Sequence, residues 1–491
     1  MINNILVGRR EEQKKLDMIL KSGSSEFIAV YGRRRVGKTY LIKTFFQKQD
    51  VIFFHITGTR DASMAEQIAD FTRILESTFY RNEFEIKNPP DWKKAFELLT
   101  KAIERESVNK KVVLFFDELP WLASKRSRFI QALDYYWNRF WQDNSNIKLI
   151  VCGSAASWMI ENVIRNKGGL HNRLTGHIPL YPFDLHDTKE YLTIKMCQFN
   201  DAQMLDIFMI LGGVPYYLNL LNKNLSVPQN IDQICFQKNG VLFDEFNRLY
   251  SSLFNHAESY EELIQIIASK RNGIERTEIA KQSKYSTDGG RLKERLDALE
   301  QSGFIISFIP YGHLKRRIFY RVVDEYSYFY LKWIAPSRTA LRKLDQSTGY
   351  WMEKYQLPGW RSWSGYAFEA VCYKHIAQIR KALGISVSAH VGSWQYIPAK
   401  GSHEDGAQID LLFDRDDGVI SICEIKMTSQ PYQMDKEEAA LMIRKMKVFQ
   451  KRTKTQKQIQ WVLISNMSIK ETMYSEELVS QRVTLDELMH V

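Results

Sequence analysis

Short apolar runs alternate with longer amphipathic stretches over the first 182 residues. Phe27–Tyr31, Val51–Ile56, Val112–Phe116 and Leu149–Gly153 are brief, rich in β-branched or aromatic side chains, and flanked by apolar positions at helical spacing. That pattern predicts four central strands of a mainly parallel sheet, each followed by a helix. From Leu185 to Leu253 the spacing is helical, broken at Gly212, Gly213 and Pro215, with no strand period. Short helical segments around Leu263, Glu278 and Leu292 follow, then two alternating runs, Phe304–Pro310 and Arg316–Val323, with a turn at Tyr311 and Gly312. Helices followed by a hairpin outline a winged helix. Beyond a linker, the order reads helix (Tyr366–Ala382), strand (Val387–Tyr396), hairpin (Ile409–Met427), helix (Lys436–Lys451) and strand (Gln458–Ile464). The expected divisions are an α/β core (1–183), a helical lid (184–256), a winged helix (257–334), a linker (335–358) and a second α/β domain (359–491). There is no internal repeat.

A chain of 491 residues is too long for one core and suits several modules. At 44% hydrophobic and 25% charged it is not collagen-like, of low complexity or largely disordered. No apolar stretch reaches the roughly 18 to 20 residues that span a bilayer, and Met1–Leu20 lacks the apolar centre of a secretory leader. A cytoplasmic, membrane-free protein is expected. The 68 basic and 57 acidic residues leave a formal net charge of +11, which favours polyanionic partners. Five scattered cysteines, Cys152, Cys197, Cys235, Cys372 and Cys423, show no zinc spacing and are expected as reduced thiols, mostly in cores.

Candidate chemistry starts at Gly32, Arg33, Arg34, Arg35, Val36, Gly37, Lys38 and Thr39, a GxxxxGK[ST] loop between an apolar strand and a helix. The glycines let successive amides point at phosphates, Lys38 reaches the β and γ oxygens, and the Thr39 hydroxyl ligates magnesium at a helix N-terminus. The run Val112–Phe116 ends in Asp117 and Glu118. Asp117 is placed to hold the magnesium shell, and Glu118 to polarise the attacking water as general base. Ser154, ending another strand, stands where a polar sensor of the γ-phosphate belongs; a Gly-Ser turn would look the same. Arg173, after the Lys167–Gly169 segment, is a candidate for the transition-state charge, in cis or from a neighbouring subunit, or else a plain surface arginine.

Val7–Glu12 (VGRREE) resembles the N-terminal box of AAA+ and STAND ATPases, and Tyr31–Thr39 (YGRRRVGKT) with Asp117–Trp121 (DELPW) resembles the prokaryotic archaeal ATPase family of that group. The resemblance implies an ATPase, with ATP and Mg²⁺ as cofactors. It also implies nucleotide contacts from Gly8, Arg9, the loop with Tyr40, and Pro215 in a GVP segment similar to the STAND lid. Ser154 departs from the asparagine that many AAA+ proteins carry there.

In the C-terminal part, Asp410 and the Glu424-Ile425-Lys426 run flank a turn at Asp417 and Gly418. Strand period two puts Glu424 and Lys426 on one face, with Asp410 across from them. Two carboxylates and an ammonium suit metal-assisted phosphodiester hydrolysis: Asp410 and Glu424, with Glu369 as a third carboxylate, would bind magnesium, and Lys426 would steady the attacking oxygen. The arrangement resembles the PD-(D/E)xK restriction-endonuclease-like fold, with Ile409 in place of the proline. An exposed salt-bridged hairpin would read the same way.

Basic residues of the winged segment (Lys293, Arg295, His313, Lys315, Arg316, Arg317) and of the late helix (Arg444, Lys447, Lys451, Arg452) either contact phosphates or form solvated faces. Ile130, Leu133, Trp137, Phe140 and Trp141, and equally Tyr216 and Tyr217, are expected in the core. The chain therefore reads as a Mg-ATP-dependent switch controlling a nuclease or nucleic-acid-binding module, with DNA as the favoured partner and a homo-oligomer as one assembly. The competing reading is a non-catalytic, nucleotide-controlled scaffold whose C-terminal fold is a docking domain.

Overall fold

The computed structural model describes residues 5–106, 110–124, 126–165, 173–285, 289–313, 317–343, 349–399 and 401–490. Lys167–Gly169, Lys315 and Arg316 lie outside them. The chain divides into two units at Pro182/Phe183.

In the first unit β1 (Glu26–Tyr31), β2 (Val51–Thr57), β3 (Lys111–Asp117), β4 (Ile147–Gly153) and β5 (Gly176–Pro179) form a parallel sheet in the order β2-β3-β4-β1-β5. The four apolar runs are its inner strands. The fifth, β5, is only four residues long and carries His177 and Pro179, too little apolar alternation to stand out in the sequence. Helices Arg10–Lys21 and Lys38–Phe46 cover one face through Leu16, Leu20, Leu41, Ile42 and Phe46. Met64–Phe79, Trp92–Glu106 and Phe129–Tyr136 cover the other, where Phe71, Trp92, Phe96 and Phe129 pack edge to face. With both faces covered, the sheet's chemistry is confined to the carboxyl ends of its strands. Register brings Tyr31 beside Gly153 and Thr57 beside Asp117 there.

Leu133, Trp137 and Trp141 are buried as expected, but Phe140 is 44% exposed. A π-helical turn over Trp137–Trp141 widens the helix and rotates Phe140 off the 3.6-residue stripe. Tyr217 is fully buried, whereas Tyr216, its neighbour on a short helix, faces outward at 42% exposure.

The second unit begins with helices from Leu185 to Leu253, without a strand among the described residues. The winged segment follows: helices Ala257–Ala268, Arg276–Gln282 and Gly289–Gln301, with β6 (Ile274–Glu275), β7 (Ile305–Phe308) and β8 (Phe319–Val322) paired antiparallel in the order β6-β8-β7. A five-stranded mixed sheet comes last. Its strands are β9 (His390–Tyr396), β10 (Ala407–Asp414), β11 (Val419–Lys426), β13 (Gln458–Ser465) and β15 (Val479–Thr484), in the order β15-β13-β11-β10-β9; β12 (Tyr432–Gln433) and β14 (Ile469–Lys470) pair separately. Helix Lys436–Thr453 packs on one face through Met442 and Phe449.

Two expectations are corrected. The described residues 349–358 do not behave as a linker: Trp351 is fully buried and stacks on Phe236, and Asp232 accepts the amides of Gly349 and Trp351 at 2.9 and 2.7 Å. Bulky aromatics spaced along a polar stretch, rather than a strong helical period, carry that packing. The helix expected over Tyr366–Ala382 starts at Pro358, ends at Lys374 and resumes as Ile376–Leu383. At the break His375 is buried, its Nδ1 paired with the Val371 carbonyl and its Nε2 accepting from the Leu185 amide. All five cysteines are free and buried.

Candidate nucleotide and acid sites

The loop after β1 has positive φ at Gly32 (153°), Arg35 (74°) and Gly37 (91°), the last at the N-cap of helix Lys38–Phe46. A side chain at Gly32 would put its Cβ 2.1 Å from the Leu180 carbonyl oxygen, so only glycine fits. Lys38 is buried, and its Nζ donates to the carbonyls of Gly32 and Arg33, both at 2.9 Å, bridging the loop from inside. Burial holds the Lys38 ammonium below the usual lysine range despite the Asp117 and Glu118 carboxylates nearby. Arg33 and Val36 are buried; Arg34 and Tyr40 are exposed. Arg9, buried and left-handed in backbone, donates to the Val36 carbonyl at 3.2 Å, and the Gln13 amide donates to the Gly8 carbonyl at 2.7 Å. The N-terminal box is thus tied to the loop.

Across the strand ends, the Thr39 hydroxyl donates to Asp117 Oδ2 at 2.7 Å. Burial works against the Asp117 charge, yet His55 at 3.9 Å, the Thr39 hydrogen bond and the neighbouring Cys152 outweigh it and hold the carboxyl below its usual range. Glu118 is left-handed (φ 48°), and its amide donates to Asp117 Oδ1 at 3.0 Å. The turn sends its carboxylate sideways to Ser154, whose hydroxyl donates to Oε1 and whose amide donates to Oε2 at 3.2 Å. Ser154 therefore grips the candidate base through both its donors. His55 and Cys152, which surround Asp117, gave no motif; only the strand register, Thr57 beside Asp117, could have suggested His55. Arg173 is exposed, and among the described residues nothing joins it to the loop. Pro215 belongs to the second unit, where it opens helix Pro215–Asn219.

In the second unit β10 and β11 pair as expected, Leu411 opposite Cys423, so that Asp410 and Glu424 face each other one step on. Gln408 Nε2 donates to Asp410 Oδ1 at 2.7 Å, and the Tyr373 hydroxyl donates to the Asp410 carbonyl at 2.5 Å. Glu369 comes from the helix Pro358–Lys374. Burial, with Asp410 and Glu424 nearby, pushes Glu369 up to about 8, and burial and Glu424 raise Asp410 as well. Glu424 is buried and taken up by cations: Lys445 donates to Oε2 at 2.7 Å, and Lys426 lies 3.4 Å from Oε1 and 3.3 Å from Glu438. Among the described residues no group of three or more His, Cys, Asp or Glu side chains is gathered closely enough to hold a metal ion. Of the late-helix cations, Lys451 and Arg452 pair with Glu404, and Arg444 lies 3.8 Å from Asp405. Lys445 escaped the sequence reading because a lysine in a charged amphipathic helix carries no motif.

Residues 6–221 match the family model of an ATPase domain predominantly from Archaea. The match continues past Pro182 into the first helices of the second unit. A full-length relative is the uncharacterized protein MJECL04 of Methanocaldococcus jannaschii, 23% identical over 416 residues, 83% of this chain and 84% of the relative. Among solved structures, the Walker-type ATPase PABY2304 of Pyrococcus abyssi aligns at 18% identity and TM-score 0.45, over 67% of this chain and 96% of that one. The ORC2 protein of Aeropyrum pernix aligns at 14% identity and TM-score 0.41, over 69% and 96%. No described helix is long and apolar enough to cross a membrane.

Proposed function

We propose that the ATPase domain is a Mg-ATP-driven switch whose output is cleavage or recognition of nucleic acid by the C-terminal sheet. The observation that supports the first half most directly is the run of contacts Thr39–Asp117–Glu118–Ser154 at the mouth of a glycine cradle. The cradle fits a polyphosphate. Its amides and Lys38 would meet the phosphate oxygens, Thr39 and Asp117 would hold magnesium, and Arg9 with Gly8 would close the nucleotide end. When bound, magnesium neutralises phosphate charge and polarises the phosphoryl group. Glu118 would take the proton of the attacking water, and the two Ser154 donors, one on each carboxylate oxygen, fix the orientation of that carboxylate.

For the second half, the support is that Glu369, Asp410 and Glu424 lie near one another, with burial first and mutual repulsion second raising Glu369 and Asp410. Carboxylates driven together in a buried pocket are short of positive charge, the condition a divalent cation relieves. The competing docking reading draws on one fact: Glu424 already has Lys445 and Lys426 as counter-ions. Purified protein with labelled DNA or RNA and magnesium decides between them. Loss of cleavage in Asp410→Ala combined with Lys426→Ala supports the nuclease; cleavage unchanged by that pair, or absent from the wild type, leaves the docking domain.

A further inference from the structure

Three adjoining cavities run from a cleft between the winged segment and helix Pro358–Lys374 to the seam with the C-terminal sheet. The largest, about 620 Å³, is walled by Trp363, Tyr328, Tyr366, Arg271 and Lys332. It shares Arg271, Tyr328 and Tyr366 with a narrow one of about 20 Å³ beside Glu369. That one shares Arg321 with a third of about 240 Å³, which reaches Asp410. Arg321, on β8, is 93% withdrawn from solvent (7% exposed), with its guanidinium 4.5 Å from the centre of the Tyr373 ring. Its Nε has no hydrogen-bond partner among the described residues. A buried guanidinium with an unfilled donor, open to two cavities, is built for an oxyanion, and its planar fork matches phosphate.

We propose that this seam is the path of a single nucleic-acid strand, with Arg321 of the winged segment positioning a phosphodiester against Glu369 and Asp410. The inference rests on the nuclease reading for its chemistry but not for its binding. Tyr366 would stack a base once Arg271 leaves its face, beside the packed Tyr328–Trp363 pair, and Lys332 and Arg271 would meet the backbone. Asn272 and Gln408 exchange amide hydrogen bonds at 2.9 and 3.1 Å across the seam, so winged segment and sheet form one wall. The middle, about 20 Å³, has room for little more than a water, so a strand passes only after side chains there move, and a duplex would need far more. Arg271, 3.8 Å over the Tyr366 ring, is the closure that a strand must displace.

The test is fluorescence anisotropy of labelled oligo-dT on full-length protein in EDTA, followed by magnesium-dependent cleavage. Arg321→Met and, separately, the exposed Lys332→Glu should each weaken binding about tenfold or more and flatten its salt dependence by about one ion. Arg321→Lys should recover part of the loss, and Asp410→Asn should bind at least as tightly as the wild type. Wild-type affinity in both Lys332→Glu and Arg321→Met, no strand binding by the wild type, tighter binding of duplex, or equal binding of dTMP would each overturn the path. A wild type that binds the strand as described yet never cleaves upholds the path and removes the nuclease reading alone.

Discussion

Thr39 and Asp117 are joined by a 2.7 Å hydrogen bond that spans the gap between the phosphate loop and the end of β3. On the proposed reading these two groups would share a magnesium ion, and the hydrogen bond sets them side by side. Asp117→Asn keeps an acceptor for Thr39 but removes the charge. Turnover of Mg-ATP should fall on the order of 100-fold, with a smaller loss in binding. Steady-state ATPase assays across a magnesium titration check this, and a variant as fast as the wild type would refute the assignment.

Glu118→Gln should leave nucleotide affinity within about twofold and slow hydrolysis by roughly 100-fold or more. Ser154→Ala removes one of two donors to the same carboxylate, so a milder loss of about tenfold is expected. Single-turnover kinetics with separately measured nucleotide binding distinguish the two. If Ser154→Ala instead abolished binding alone, Ser154 would be a phosphate contact and not the holder of Glu118.

Two glycines are fixed by backbone approach. A Cβ at Gly32 would lie 2.1 Å from the Leu180 carbonyl, and one at Gly213 would lie 1.8 Å from that of Phe183. Gly213→Ala should lower the thermal midpoint of the protein, with a loss on the order of 2 kcal/mol or more. Gly32→Ala should in addition abolish nucleotide-induced stabilisation. Calorimetry with and without Mg-ATP reads both effects, and normal stabilisation in Gly32→Ala would count against the cradle.

Asp206 gives a pH-dependent stability. It is 8% exposed, accepts a hydrogen bond from Tyr355, and burial pushes its carboxyl up to about 6. Because the folded value exceeds that of the unfolded chain, the contribution of this group is full below about pH 4 and is lost as pH rises through about 6. Asp206→Asn, which keeps the acceptor but cannot ionise, should match the wild type near pH 4 and exceed it at pH 8 by on the order of 2 kcal/mol. Denaturant titrations at the two pH values test it; equal differences at both would show that Asp206 ionises freely in the fold.

The loop, the acidic strand end and the Asp410/Glu424 hairpin were legible because each depends on local order: a strand, a turn, a fixed spacing. What the sequence hid depends on distant partners. Ser154 was visible as a hydroxyl at a strand end, but its grip on Glu118 comes from the left-handed turn at Glu118, which no composition rule marks. Lys445 reaches Glu424 from a helix, and Arg321 lines the cavity of Asp410 from another sheet, where a lone cation carries no pattern. The segment 335–358 looked like a connector because its buried side chains are few and large.

That segment has a consequence for how the protein can be taken apart. With Trp351 laid on Phe236, and Asp232 and Asp206 holding Gly349, Trp351 and Tyr355, the lid helices and the acid-bearing sheet share one interior. A cut ahead of Gly349 would part Trp351 from Phe236 and strip the Asp232 and Asp206 carboxylates of their partners. The unit from Phe183 to Val491 should therefore resist cleavage here, and a protease should cut first elsewhere.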